Sequence, residues 1–319
     1  MTYLFLACCL PLMAFGAVSA LASLAMPAAL RRCLARAEPR SDTLLWLRFV
    51  PTICAGVVAG LVVLPAFLRF EPRQSGERAG PLMLALGATV VLMIAAGLAR
   101  GAASLLRTRA LVRRWRGGAA RIDLPGSSLP AFAIDEEFPL VAVVGILRPR
   151  LYVARTVLER CTHDEIAAIV AHEACHVLRR DNLKRLLLRS CPDLLASFAV
   201  GADLESAWSE ACDRAADDHA VAKGSRLDLA AALVKVARAL RGTAPEGGAL
   251  AAFCRGEDLA GRVRRLLRRG ADGRDEGPES RSRAVFVAMS LLACVVIGQD
   301  PGLLRGVHAA AEVVVRLLQ

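Results

Sequence analysis

The chain has 319 residues, of which 55% are hydrophobic and only 5% aromatic, and its formal net charge is +11. This apolar content is too high for an ordinary soluble protein and predicts a membrane protein. The arginines lie beside apolar runs and lack the interleaved aromatic residues that stack on bases, so direct nucleic-acid binding is not expected. A basic surface facing anionic lipid accounts better for the charge.

The chain contains four apolar runs, at residues 1–30, 49–68, 79–99 and 284–299. About 20 apolar residues span a bilayer, so the first three are long enough and the fourth is short. We therefore predict a three-helix transmembrane region over residues 1–107 and a fourth transmembrane helix over 284–300. No basic residue precedes the first run, unlike in a signal peptide, so an uncleaved anchor is expected.

Arginines mark which ends of these runs face the cytoplasm. They follow the first and third runs and precede the fourth: Arg31, Arg32, Arg36, Arg40, Arg48, Arg100, Arg107, Arg109, Arg113, Arg114, Arg116, Arg281 and Arg283. By the positive-inside rule, residues 101–283 are then cytoplasmic, while the N-terminus and a short tail over 301–319 lie outside. This layout predicts a multi-pass protein of the bacterial inner membrane, with the lipid bilayer as a partner.

The cytoplasmic region is long enough to form a core of its own. We predict an α+β domain over residues 108–270 and a Gly-rich, charged linker over 271–283. The segment from Phe138 to Arg155 is typical of two short strands around Gly145 and Pro149. A helix should follow, with Thr162 as its N-cap and Glu165 completing a capping box.

That helix carries "HEACH", in which His172 and His176 are separated by one turn and Glu173 lies between them. Residues i and i+4 share one helix face, so both imidazoles can reach a single ion. Zn²⁺ accepts such nitrogens, and Glu173 can serve as the general base that takes a proton from water. The sequence therefore predicts a zinc peptidase site, with His172 and His176 as metal ligands and Glu173 as the catalytic residue.

A third ligand is sought in "WSEACDRAADDHA", where Glu210, Asp213 and Asp217 occur at i, i+3 and i+7. A carboxylate followed four residues later by Asp is similar to the ExxxD pattern of gluzincin-type enzymes. Asp213 and Asp217 have this spacing, with Asp in place of Glu. We therefore favour Asp213 as the ligand and Asp217 as the group that orients a ligand histidine. Glu210 is the alternative ligand, because its side chain is of the usual type.

Three segments together resemble the BlaR/MecR-type membrane zinc metallopeptidases: "RPRLYVARTVL", "EIAAIVAHEACHVLRRDN" and the W-x4-[DE]-x3-D segment. The resemblance implies four transmembrane helices with a cytosolic, gluzincin-like zinc domain. It also implies cleavage of a cytosolic protein such as a DNA-binding transcriptional repressor, in a signalling pathway. A homodimer is compatible with this organisation.

The sequence departs from that family in two ways. Only residues 301–319 follow the fourth run, and no S-x-x-K motif occurs, so direct antibiotic sensing is not expected. Aspartate also stands where the ligand is usually Glu. Two alternatives stay open: an HtpX-type quality-control peptidase that cleaves membrane proteins, and an inactive membrane scaffold that keeps the peptidase fold.

Overall fold

Long apolar helices form the first third of the chain. The structure, a computed structural model, describes residues 2–35, 39–72, 80–136, 141–240, 256–268 and 300–318. Within them, three stretches are long and apolar enough to cross a membrane: Tyr3–Leu34, Ser41–Phe70 and Pro81–Arg116. This confirms the first three predicted membrane helices at that level. The linker predicted over 271–283 and nearly all of the helix predicted over 284–300 lie outside the described residues.

These helices have bounds that differ somewhat from the apolar runs. Helix α1 is Thr2–Leu34, and α4 is Pro81–Arg116, which extends well past the apolar run into its basic residues. The middle stretch consists of α2 (Ser41–Val57), a π-helical turn (Val58–Val63) and α3 (Leu64–Phe70). Leucines such as Leu24 and Leu92 point outward, 78% and 69% exposed. Such exposure suits contact with lipid rather than with water.

Residues near the start of α1, the end of α3 and the start of α4 pack in one apolar cluster. Its buried members include Leu6, Phe67 and Met83, together with Val315 of the last described helix, α11 (Pro301–Leu318). The three helix ends therefore lie together on one side of this unit. The tail predicted over 301–319 thus contains a helix that packs on this cluster.

A small sheet lies in the region predicted as the cytoplasmic domain. Its strands are β1 (Ala120–Ile122), β2 (Ala131–Ile134), β3 (Val141–Val144) and β4 (Arg150–Ala154). The order is β1-β2-β4-β3; β2 and β4 are parallel and the other pairs antiparallel. Strand β3 is therefore at an edge. The two strands predicted around Gly145 and Pro149 are present as β3 and β4.

Helices fill the rest of this region. They are α5 (Arg155–Arg160), α6 (His163–Leu178), α7 (Asp181–Ser190), a 3₁₀ turn (Leu194–Ser197), α8 (Ala199–Lys223), α9 (Arg226–Leu240) and α10 (Gly256–Arg268). The sheet and α6 share a core that includes Val153 and Val170. This core fixes the orientation of α6 and hence of the residues it carries.

The contacts divide the described residues into two units. One contains the apolar helices, residues 187–208 and α11, and the other contains residues 103–186 and those from 209 through α10. Residues 187–208 thus group with the apolar helices, although they fall within the predicted domain of residues 108–270.

Candidate metal centre

Helix α6 begins at a capping box. The Thr162 hydroxyl accepts a hydrogen bond from the Glu165 amide, and the Glu165 carboxylate accepts one from the Thr162 amide at 2.7 Å. Lys235 on α9 also donates to that carboxylate at 2.6 Å. This end of the helix is therefore held both locally and by a neighbouring helix, as the predicted cap requires.

One face of α6 presents two candidate metal-binding groups, the buried His172 and the partly buried His176. Their Nε2 atoms lie 3.3 Å apart, and their rings meet edge to face with centroids 5.0 Å apart. Neither nitrogen can donate to the other if both are unprotonated at Nε2. Two lone pairs that face one point are the arrangement that a single cation requires.

Each histidine has a carboxylate at its other ring nitrogen. Asp217 Oδ1 lies 2.9 Å from His172 Nδ1, and Asp181 Oδ2 lies 2.8 Å from His176 Nδ1. Both carboxylates are buried. In a neutral imidazole, an Nδ1–H that donates to a carboxylate leaves Nε2 unprotonated, so the two aspartates favour the tautomer that can bind metal once the ring has lost its second proton.

Asp213 on α8 supplies a third donor beside the histidines. Its Oδ1 lies 3.4 Å from His176 Nε2, and the ligand atoms of His172, His176 and Asp213 all fall within 4.8 Å of one another. Glu210, one turn earlier on α8, is exposed and is not part of this group. The structure thus places Asp213 with the histidines and leaves Glu210 apart from them.

Asp181 reaches His176 because the chain turns sharply after α6. Arg180 has φ of 56°, the one left-handed residue other than glycine in the described chain. The turn starts α7 at Asp181 and folds its carboxylate back onto the helix just completed. The next residue, Asn182, donates to the Val143 and Gly145 carbonyls at 3.0 and 3.2 Å, which ties the turn to β3.

The predicted general base, Glu173, faces the edge strand. Its Oε2 accepts a hydrogen bond from the Val143 amide of β3 at 3.2 Å, and the residue is only 5% exposed. The carboxylate is thus oriented on the same helix as the histidines, close to the backbone of an edge strand. An extended peptide can pair with such an edge.

Two arginines of α10 complete the surroundings of Asp217. Arg262 donates to both of its carboxylate oxygens, at 2.6 and 3.0 Å, and its Nη2 lies 3.5 Å from His172 Nδ1. Arg265 Nη2 is 3.6 Å from the same carboxylate and also pairs with Asp218. A carboxylate shared by a ring N–H and a two-pronged guanidinium has little freedom to rotate.

These contacts shift the pKa values of three side chains at the site so that the charged form of each is favoured. Burial lowers the pKa of His176, but its hydrogen bonds with Asp181 and Asp213 and the Glu173 charge outweigh burial and raise the pKa to about 10. Burial raises the pKa of Asp213 and of Asp217, yet the facing histidines and Arg262 hold both below their usual range. The carboxylates therefore favour positive charge at His176, where a proton and a metal ion would compete for the ring.

Two residues that contact the histidines were not predicted, Asp181 and Arg262. Asp181 lies in "RRDN", five residues after His176, and this short spacing was the available signal. Arg262 lies 45 residues after Asp217, and nothing local in the sequence connects the two.

Residues 106–211 match Peptidase family M48. The matched third of the chain contains the sheet, the HExxH helix and Asp181, and it ends before Asp213. It indicates a metallopeptidase, a class to which both the BlaR/MecR and HtpX types belong, and zinc is the metal of such enzymes. No curated protein is significantly similar to the chain.

Proposed function

We propose that the protein is an integral-membrane zinc endopeptidase that hydrolyses peptide bonds in a cytosolic protein. The observation that supports this most directly is the position of the two Nε2 atoms, 3.3 Å apart, with a carboxylate at each Nδ1. Burial of a carboxylate costs free energy unless the carboxylate is paired. Two histidines that served only to fill a hydrophobic core would not require two buried aspartates beside them. This arrangement supports our proposal of a gluzincin-like centre.

The donor set fits zinc. His172, His176 and Asp213 would hold the ion, and three protein ligands leave one position for water or substrate, as in catalytic zinc sites. When bound, Zn²⁺ lowers the pKa of a water molecule and polarises the carbonyl of the peptide bond to be cleaved. Asp217 and Asp181 keep the two imidazoles in the ligating tautomer throughout.

Glu173 performs the proton transfers. As a carboxylate it accepts the proton of the attacking water at Oε1 or Oε2, and it returns that proton to the leaving amine nitrogen. Its bond with the Val143 amide holds it beside the edge strand β3 and on the same helix as the two histidines. Arg262 restrains Asp217 and through it the ring of His172.

The topology that we propose has the N-terminus outside and residues 101–283 in the cytoplasm, within the bacterial inner membrane. Its support is the concentration of arginines at the ends assigned inside. With a fourth helix over 284–300, this layout favours the BlaR/MecR type, whose substrates are transcriptional repressors. A reporter enzyme that works only in the cytoplasm should be active when it is fused near Arg121. Activity of a reporter that works only in the periplasm would reverse the orientation.

The HtpX type is the second candidate, since the family match covers both types. The two differ in substrate: a soluble DNA-binding protein for one, damaged membrane proteins for the other. The identity of the cleaved proteins therefore decides between them, independently of whether the site is active.

The decisive experiment compares new protein N-termini in cells that express the chain or its Glu173→Gln variant. Gln keeps the size of the side chain but cannot accept a proton, so the N-termini should vanish while bound zinc remains. Glu159→Gln, at an exposed position on α5, is the matched control and should behave as the parent. Identical N-termini from Glu173→Gln and the parent would refute the mechanism.

A further inference from the structure

A second group of metal-binding side chains lies in the unit of apolar helices. His308 and Glu312 are one turn apart on α11, and Glu71 is the residue at which α3 ends. His308 Nε2 lies 3.3 Å from Glu312 Oε1 and 3.8 Å from Glu71 Oε2. One ligand atom from each of the three falls within 4.8 Å of the others.

Burial distinguishes Glu71 and His308 from ordinary surface side chains, whereas the Glu312 side chain is 37% exposed. The Glu71 side chain is 6% exposed and that of His308 is 13% exposed. The 3.8 Å between His308 Nε2 and Glu71 Oε2 is too long for a hydrogen bond, so the two groups face each other without a direct bond. A cation bound between them would be a ligand partner for both and would join Glu71 to the His308–Glu312 pair.

The nearby arginines do not fill this role. The Arg305 guanidinium lies over the Phe70 ring, 6.0 Å from its centroid. Arg316 Nη2 lies 3.5 Å from Glu312 Oε2, and the Arg316 side chain is 70% exposed. The Arg316 pair is exposed and therefore weak, so a metal ion could displace it. Phe70 also contacts the His308 ring, with centroids 6.0 Å apart, and so limits its rotation.

We propose that Glu71, His308 and Glu312 bind a divalent transition-metal cation, and that this ion joins α11 to the end of α3. One imidazole nitrogen and two carboxylate oxygens are a ligand set of zinc and similar ions; Mg²⁺ and Ca²⁺ prefer oxygen alone. The site is distinct from the HExxH centre and involves none of its residues. Packing of Val315 against Leu6 and Phe67 holds α11 in place, so the ligands meet without the ion.

The test uses the full chain in detergent, with the HExxH centre disabled by His172→Ala and His176→Ala. Zinc measured by elemental analysis after removal of loosely bound metal should amount to one ion per chain in this background. His308→Ala or Glu312→Gln added to it should remove that ion. His163→Ala, at an exposed histidine, is the control and should retain it.

The outcomes distinguish the two sites. If the parent binds two ions and the background one, both exist; if both proteins bind one ion that His308→Ala removes, only the second site exists. A background protein without zinc, or one that keeps its zinc after His308→Ala, overturns the proposal.

A second measurement distinguishes loss of the ligand from misfolding of the variant. His308→Cys replaces the imidazole with a thiolate, which also binds zinc and cobalt, so in the same background Co²⁺ should produce a thiolate-to-cobalt absorption band. His163→Cys should not produce it. Equal spectra from the two variants contradict ligation at position 308.

Discussion

Buried charges occur in two regions of the protein, and they are arranged differently. Beside the apolar helices, Arg48 and Asp193 pair at 2.6 Å, with side chains 4% and 0% exposed, and Thr52 donates to the same oxygen at 2.7 Å. There, opposite charges face each other directly. At the HExxH centre, by contrast, three aspartates surround two histidines whose Nε2 atoms face a common point.

The difference shows how to tell a structural ion pair from a binding site. In the pair, the positive charge of Arg48 is placed directly against the negative charge of Asp193, and among the described residues Asp193 belongs to no group of side chains that could hold a metal ion. At the HExxH centre, the carboxylates face histidines instead of a permanently charged arginine. An imidazole gains positive charge only when it binds a proton, or holds a positive ion when it binds a metal. The following predictions test this contrast, from the largest expected effect to the smallest.

Removal of the third donor should have the largest effect. Asp213→Ala leaves two histidines, and we expect loss of stoichiometric zinc in the purified chain, measured by elemental analysis. Glu210→Ala, one turn away on α8 and exposed, should change little. The reverse result, with zinc lost only from Glu210→Ala, would make Glu210 the ligand.

Breaking the structural pair should lower stability without affecting metal. Arg48→Leu leaves Asp193 buried and unpaired, which costs about 3–5 kcal/mol of unfolding free energy. The thermal midpoint of the detergent-solubilised chain should fall markedly, while bound zinc stays at the parental level. Arg48→Leu combined with Asp193→Leu should recover much of the loss, because no buried charge remains. Loss of zinc in Arg48→Leu at temperatures where the chain is folded would contradict the contrast.

The two orienting carboxylates should have intermediate effects on affinity. Asp217→Ala and Asp181→Ala each free a histidine ring, and loss of such a partner typically weakens zinc binding about 10–100-fold. Titration against a chelator of known affinity measures this. Asp218→Ala, which removes a carboxylate that pairs with Arg265, is the control. Equal affinity in Asp181→Ala and the parent would remove Asp181 from the site.

The smallest effect is expected at the turn after α6. Arg180 is exposed and left-handed, a conformation that costs about 1–2 kcal/mol outside glycine. Arg180→Gly should therefore raise the unfolding free energy by up to about 1 kcal/mol, since glycine also loses more entropy on folding. Arg179→Gly, at the neighbouring right-handed residue, should lower it. A fall in Arg180→Gly would mean that its side chain matters more than its backbone.

What the sequence predicted follows from what is local in the chain. The capping box and the common face of His172 and His176 are set by helix periodicity, and α6 has both. The 213–217 spacing led to Asp217 as an orienting residue, and in the structure it lies beside His172. The assignment of these residues to catalysis and metal binding stays a prediction.

What the sequence did not predict depends on geometry beyond a single helix. Asp181 contacts His176 only because Arg180 is left-handed, and nothing in its residue type indicates that. Arg262 requires the packing of α10 near α8, which no periodic pattern reports. The grouping of residues 187–208 with the apolar helices likewise arises from long-range contacts.

The two ligand histidines receive their aspartates over very different chain distances. Asp181 is five residues from His176, whereas Asp217 is 45 residues from His172 and arrives with Asp213 on α8. Helix α6 and the turn that follows it therefore supply only the two histidines and Asp181. Helix α8 supplies Asp213 and Asp217. Since ligand binding and the approach of α8 are then thermodynamically linked, each must strengthen the other by the same factor. If the proposed ion binds here, any change that loosens α8 should weaken its binding, and the bound ion should in turn stabilise the packing of α8 on α6.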